Sequence, residues 1–588
     1  MSELQTLIAE GRAIARIAAR APRFRPGARW NAARCLRECA RRWPDGTALL
    51  FEDRRYAWRE IDHLADRTAN AFRRMGVEPG DSVALLMDNR PEYVVAVAAL
   101  SRLRARAALI NTNVVGDALS HALKAGLAAH ALVGAEHEGK LAELGDALPF
   151  PADCVRVQRD GDLTGGDAFA SFDELVCACS DAHADDDVPP RAEEHALYIY
   201  TSGTTGLPKA AVVSNAKLMM AGTLFGRGLF DMGPDDTVYV TLPLYHSNGM
   251  YGGVAGALQT GATIALRRKF SASQFWSDVR RYEATAFIYI GELLRYLLNQ
   301  EPHPKDGHHR LRVAVGNGLR PDIWQAFQQR FQVPLIREFY GATEGIAAIA
   351  NITGRVGMVG RLQPGQVIAR CDPLTGELWR GPDGRGEALE AGGTGLLLAR
   401  IGGPIKFDGY VDEAASRKKV LTDVFADGDA YFDSGDLLDL HEGRWLSFAD
   451  RVGDTFRWKG ENVSTNEVAE ILNGAVGVLE ANVYGVGIPG ADGKAGMASL
   501  NVADAFDLHA FEEYIREKLP AYMRPYFIRL QREMRVTGTF KHQKTDYRKE
   551  GYDPSRVEDP LYFLDGEKYV PVDQALFDGL QSGTVKVR

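Results

Sequence analysis

At 588 residues the chain is too long for one ordinary domain, and 45% hydrophobic with 25% charged residues is a globular balance that permits a full core. The net charge of −9 excludes nucleic acid as the main partner. With no apolar run of membrane-spanning length, no signal peptide and six sparse cysteines without metal spacing, the expectation is a reduced cytoplasmic protein lacking a structural metal.

Residues 1–42 carry ten Arg, no Lys and three Glu, a local net charge of +7. Arg12, Arg16 and Arg20 recur at helical spacing beside Ile14 and Ile17, a pattern that suits either peripheral contact with an anionic membrane face or a solvated capping helix. Ile61, Leu64, Ala69, Phe72 and Met75 keep a helical period over 58–75, stopped by Gly76. A buried strand at 83–86, a helix at 91–103 and a strand at 107–110 follow. Residues 158–195 read as an acidic surface excursion, and a short β segment runs over 196–200. Strand candidates at 238–242, 263–266, 285–290, 313–315 and 335–339 alternate with helical stretches, which means parallel sheets covered by helices. Between about 370 and 450 short strands and Gly/Asp turns suggest a small β subdomain. A junction falls at 450–454, followed by a strand at 483–487, a helix at 509–519 ended by Pro520, and a long basic loop at 535–549. The predicted architecture is α/β: a large domain at 1–452 with mostly parallel sheets and a β subdomain, then a smaller α+β domain at 453–588.

The most informative run leaves the strand at 196–200 and passes through Thr201, Ser202, Gly203, Thr204, Thr205 and Gly206 to Pro208 and Lys209. Glycines let backbone N–H groups converge on an anion, hydroxyls add donors and the lysine adds a point charge, so the run suits a polyphosphate. It is not the common P-loop, because Lys209 follows Pro208 and no Ser or Thr succeeds it. Tyr340-Gly341-Ala342-Thr343-Glu344-Gly345 follows a predicted strand, at the sheet end where α/β folds bind ligands. It offers an aromatic to stack on a base, a hydroxyl for phosphate and a carboxylate for Mg²⁺. Gly316-Asn317-Gly318 reads by itself as a turn, Ser434-Gly435-Asp436 as a hairpin turn, and His246 as a structural histidine. Gly485 to Gly490 fits a dinucleotide fingerprint, but Pro489 and the glycines beyond leave no helix to receive a pyrophosphate.

Together the loop at 201–209 and the Tyr-Gly-Ala-Thr-Glu-Gly hexapeptide resemble the adenylate-forming superfamily of acyl-CoA synthetases, luciferases and carrier-protein adenylation domains. The resemblance implies a two-sheet large domain with a mobile C-terminal domain, and ATP as substrate with AMP as product. It places adenine against Tyr340 and Gly341 and beside the turn at Gly316, Asn317 and Gly318. Thr343 would contact the α-phosphate, Glu344 would bind Mg²⁺, Asp436 would accept the ribose hydroxyls and Arg451 would contact ribose or phosphate. His246, in Pro-Leu-Tyr-His-Ser-Asn-Gly, would line the acyl and thiol channel. Lys541, in Thr-Gly-Thr-Phe-Lys, aligns with the C-terminal catalytic lysine, with Lys544 as a competing solvated charge. An ammonium there meets a physical need, since carboxylate attack on a phosphoanhydride brings like charges together.

Phe456-Arg457-Trp458-Lys459-Gly460-Glu461-Asn462-Val463, Phe407-Asp408-Gly409-Tyr410, Gly493-Lys494-Ala495-Gly496-Met497-Ala498, Phe270 to Trp276 and Tyr562-Phe563-Leu564-Asp565 narrow the resemblance. They are similar to the fatty acid transport protein and very-long-chain acyl-CoA synthetase family over about residues 45–580. This implies a long- or very-long-chain fatty acid–CoA ligase using fatty acid, ATP and coenzyme A, with Lys459 and Gly460 on the pantetheine path and a hinge at Gly453. Ile346 departs from the polar residue usual after the hexapeptide and bears on the acyl-pocket wall. The rival readings are a bile-acid or steroid-type ligase, an acyl-AMP ligase loading a carrier protein, and a membrane-associated fatty-acid uptake protein. The intact set of Lys209, Glu344, Asp436, Arg451 and Lys541 argues against the last.

Overall fold

The computed structural model describes the chain apart from residues 1–2, 162–165, 183–188, 203–206, 391, 403–405, 492, 536–543, 586 and 588. Its residues divide into two compact units, 1–360 with 401–421, and 361–400 with 422–588.

The first unit holds two sheets. In one, seven strands run in the order Ala170–Ser171, Val155–Gln158, Ala128–Gly134, Ser82–Leu86, Arg106–Leu109, His195–Ser202 and Pro208–Ser214. All neighbours are parallel except the last pair. Ser82–Leu86 is buried at every position, because helices cover both faces of a parallel sheet and an unbroken apolar run is what survives there. Helix Pro91–Arg102 is buried almost all round, with Pro91 in the first turn where its missing N–H costs nothing. Helix Trp58–Arg74 opens with the Glu60 carboxylate accepting the Ala57 N–H at 2.6 Å.

The other sheet orders eight strands as Ala348–Asn351, Ile336–Gly341, Val313–Asn317, Ala286–Ile290, Thr237–Val240, Thr263–Leu266, Thr47–Phe51 and Arg54–Ala57. The edges are antiparallel and the interior parallel. Register aligns Ile290 with Asn317 and Gly316 with Glu338, so three carboxyl ends lie side by side. Behind them Phe275, Trp276, Phe287, Trp324, Phe327 and Phe331 form an aromatic core. Asn248–Ala255 is a π-helical turn lying directly on this sheet. A Cβ on Gly252 would stand 2.4 Å from the Ile288 side chain and one on Gly253 2.7 Å from that of Val240, so a larger residue at either position would have to displace these side chains from the sheet face. The mixed α/β class with mostly parallel sheets is therefore the observed one.

In the second unit, Gln366–Ala369, Thr394–Arg400, Ala430–Leu440 and Trp445–Arg451 form an antiparallel sheet. A five-stranded sheet runs Val478–Gly487, Lys494–Val502, Phe527–Gln531, Leu561–Asp565 and Lys568–Pro571, around a core that includes Tyr484, Met497, Phe527 and Tyr547.

Two expectations need correction. Part of the basic stretch at 535–549 is the helix Lys544–Glu550. Its lone buried residue, Tyr547, donates to Gln531 at 2.8 Å, and Glu550 pairs with the buried Arg529, so two inward anchors suffice where the charge pattern suggested a loop. The excursion at 158–195 is not all surface either: helix Phe172–Cys177 buries Phe172, 5.0 Å from the Phe72 ring. No described helix is long and apolar enough to cross a membrane.

Candidate active site

The strands His195–Ser202 and Pro208–Ser214 hold Thr201 opposite Lys209 and Ser202 opposite Pro208, which fixes both ends of the phosphate-type loop. Gly203, Thr204 and Thr205 lie outside the described residues. The segment at 408–411 adds to the outer strand: the Val212 N–H donates to the Gly409 carbonyl, and the Val411 N–H to the Ala210 carbonyl, both at 2.9 Å. Asp408 secures it by accepting the Ser214 hydroxyl at 2.8 Å and the Ser214 N–H at 3.2 Å. Tyr410 is thereby delivered to the base of the loop. Its hydroxyl donates to Glu344 Oε1 at 2.8 Å and shares a hydrogen bond with Thr201. Burial, and then the Glu344 charge, raise the Tyr410 pKa, so the hydroxyl stays a donor at every ordinary pH.

Tyr340 and Gly341 end the strand Ile336–Gly341, and Thr343 and Glu344 follow directly. The Thr343 hydroxyl lies 3.4 Å from that of Ser247, and Asn248 donates to Asn317 at 2.8 Å, so the segments carrying His246, Thr343 and Asn317 meet. His246 caps the approach to the π-helical turn: its carbonyl accepts the Met250 N–H at 3.0 Å, and its ring stands 4.9 Å from that of Tyr245. Gly316 packs so tightly that a Cβ would reach within 2.3 Å of the Tyr289 carbonyl, and Gly318 has φ +76°. The turn is pinned from behind by Glu338, which accepts the N–H groups of Gly318 and Leu319 at 3.1 Å each and the Tyr289 hydroxyl at 2.9 Å. Burial pushes the Glu338 carboxyl up to about 8 against the pull of those three donors.

Within the second unit, Asp436 and Arg451 are direct partners on adjacent strands, with Arg451 Nε 3.6 Å from Asp436 Oδ1. Arg451 is 55% exposed, which leaves its guanidinium open to a further anion. Gly453 sits in a turn at φ +80°. Lys459 and Gly460 form the turn between Phe456–Trp458 and Glu461–Val463, with φ +49° and +88°. The Lys459 ammonium lies 5.2 Å from the Trp458 ring centroid. Lys541 falls outside the described residues. Lys544 is not a solvated charge: its ammonium donates to the Thr465 hydroxyl at 2.7 Å and pairs with Asp454 at 3.4 Å.

Sequence reasoning assigned no role to Tyr410, Asp408, Glu338 or Lys217. Lys217 is 8% exposed, and among the described residues its ammonium has no hydrogen-bond partner. Burial lowers its pKa to about 8, with Asp408 and Glu344 opposing that. A lysine ahead of Leu218-Met219-Met220 was the available signal. Among the described residues Asp88, Glu136 and His137 also converge. Lys269 stands 3.2 Å from Asp88 and Arg90 pairs with Glu136, so cations already balance these carboxylates, and His137 lies within hydrogen-bond distance of Asp88 at 3.0 Å.

Residues 36–410 match the family described as AMP-binding enzyme. The chain belongs to the AMP-binding enzyme family. This AMP-binding enzyme is 40% identical over 567 residues to long-chain fatty acid transport protein 6 of Mus musculus, covering 93% of this chain and 90% of that protein. It is 38% identical over 553 residues to the medium/long-chain-fatty-acid–CoA ligase FadD6 of Mycobacterium tuberculosis, again covering 93% and 90%. Among solved structures, ATP-bound MatB from Rhodopseudomonas palustris superimposes with a TM-score of 0.73 at 21% identity, covering 88% of this chain and 98% of that one. The family resemblance read from the motifs is the one these comparisons show.

Proposed function

We propose that this AMP-binding enzyme is an ATP-dependent long- or very-long-chain fatty acid–CoA ligase. The observation that carries the proposal is the convergence, within one unit, of the 201–209 loop base, Tyr410, Glu344, Thr343 and the 316–318 turn at the carboxyl ends of parallel strands. The names of the relatives, a fatty acid transport protein and a fatty acid–CoA ligase, support the substrate class.

In the first half-reaction an acyl carboxylate oxygen bonds to the α-phosphorus, and the bond to the β-phosphate oxygen breaks, its electron pair leaving with pyrophosphate. Lys209 and the loop hydroxyls hold the phosphates, Tyr340 and the Gly316-Asn317-Gly318 turn hold the base, and Asp436 and Arg451 hold the ribose. Lys541 neutralises charge where carboxylate meets phosphate. Magnesium suits hard oxygen donors, and Glu344 with the neighbouring threonine hydroxyls offers that set. When bound it would neutralise phosphate charge. In the second half-reaction the CoA sulfur bonds to the acyl carbon and AMP departs, the thiol proton passing to solvent. His246 lines the acyl and thiol channel, Lys459 and Gly460 the pantetheine path, and the turn at Gly453 is the hinge of the C-terminal domain at 453–588. We place the enzyme in the cytoplasm, with peripheral access to membrane lipid.

Pyrophosphate–ATP exchange tests this reading. Exchange should require a fatty acid and proceed without CoA. Tight fatty-acid binding with no exchange would replace the ligase by an uptake or binding protein.

A further inference from the structure

Helix Glu3–Ala18 presents two different faces. The inward one docks on the first unit. Thr6 and Ala13 are buried, the Ile17 δ-carbon fills the space that Gly228 leaves free, and Arg16 pairs with Asp231 at 3.1 Å. The outward one is apolar and uncovered: Leu4, Leu7, Ile8 and Ile14 are 68, 51, 47 and 52% exposed. At 3.6 residues per turn these four, with Gly11, Ala15 and Ala18, fall in an arc of about 120° along the whole helix. All seven positions are exposed.

Four large aliphatic side chains in one exposed stripe mark a surface that is covered in use. Its surroundings say by what. Arg12 borders the arc, and Arg25 and Arg29 are exposed just beyond the helix. Residues 1–42 carry +7, while the rest of the chain carries −16. A second copy meeting this stripe would set two arginine-rich segments against each other, and nucleic acid would leave the leucines in water. An anionic bilayer surface satisfies both features at once.

We propose that the helix Glu3–Ala18 is a lipid-docking element, with Leu4, Leu7, Ile8 and Ile14 entering the headgroup–acyl boundary of an anionic membrane and Arg12, Arg25 and Arg29 meeting its headgroups. The proposal is independent of the ligase reading, since no assigned site residue lies before Thr201.

Co-sedimentation of the full chain with phosphatidylcholine vesicles, with and without phosphatidylserine, tests it. The protein should pellet with the anionic vesicles at low salt and bind neutral ones at least about tenfold more weakly. The double variant Leu7→Glu, Ile8→Glu should lose anionic binding by about tenfold or more, while turnover of a short soluble acid and the melting temperature stay unchanged. The triple variant Arg12→Gln, Arg25→Gln, Arg29→Gln should bind more weakly at low salt and depend less on salt than the wild type, whose attraction is screened as the Debye length shrinks to about 8 Å near physiological ionic strength. Equal binding by the wild type and Leu7→Glu, Ile8→Glu overturns the proposal. So does a dimer in gel filtration that this variant dissociates without any vesicle binding, which would make the stripe a contact between copies.

Discussion

Replacing Tyr410 by Phe removes one hydroxyl and keeps the ring that packs with Ala211 and Ala415. The lost atom is the 2.8 Å donor to Glu344 Oε1 and a partner of Thr201, at a side chain only 9% exposed. A hydrogen bond to a charged acceptor contributes about 1.5–3 kcal/mol. If that bond holds Glu344 in its working orientation through the adenylation transition state, kcat/KM for acyl-adenylate formation should fall by about tenfold to a hundredfold. The expected loss is in adenylation, together with a higher magnesium requirement, and stability should drop by only about 1 kcal/mol. Pyrophosphate release measured across a magnesium titration reads both effects. A double-mutant cycle sharpens the test: in a Glu344→Gln background the Tyr410→Phe change should add little, because the two side chains act as one unit. A Tyr410→Phe enzyme within twofold of wild type, or losses that simply multiply in the double mutant, would refute the reasoning.

Glu338→Gln should flatten part of the pH dependence of stability. Its carboxyl is raised from 4.5 to about 8 in the folded chain, so the folded state holds more protons than the unfolded one across that window. Stability from this group is therefore present below the unfolded value and lost as pH rises through about 8, by at most about 1.4 kcal/mol per pH unit. Urea titrations from pH 4.5 to 8 should show a slope in the wild type that the variant lacks, and identical slopes would contradict it. Lys541→Ala should abolish acyl-adenylate formation yet leave CoA attack on preformed acyl-AMP nearly intact, and equal loss in both half-reactions would make Lys541 structural. Lys544→Ala, by contrast, should lower the melting temperature through its lost contacts with Thr465 and Asp454 without separating the half-reactions. Gly453 has φ +80°, a value closed to proline, so Gly453→Pro should remove this conformation and with it one half-reaction while sparing the other. Burst measurements of acyl-AMP against steady-state acyl-CoA decide this, and retention of both half-reactions would move the hinge elsewhere.

What the sequence made legible was whatever is local in the chain. Strands such as Ser82–Leu86 announce themselves because both faces are covered, and the ligand loops follow strands by the logic of parallel sheets. Contacts between distant segments were hidden. Glu344 and Tyr410 are 66 residues apart, and only the backbone pairing of 409–411 with the strand Pro208–Ser214 reveals that they touch. Glu338 reads as one polar residue in a strand, although it is the acceptor on which the Gly318-Leu319 turn hangs. The amino-terminal helix shows the same limit. Its arginine spacing was visible, but which apolar side chains face the protein and which face solvent depends on the docking of Ala13 and Ile17.

The central claim is most directly tested by following ATP, AMP and acyl-CoA together, with medium- to very-long-chain fatty acids and bile acids, in the presence and absence of CoA. The account predicts one AMP and one acyl-CoA per ATP consumed, with long- or very-long-chain fatty acids preferred and acyl-AMP accumulating when CoA is withheld. Release of ADP, a clear preference for bile acids, or acyl-AMP that CoA fails to consume would contradict it.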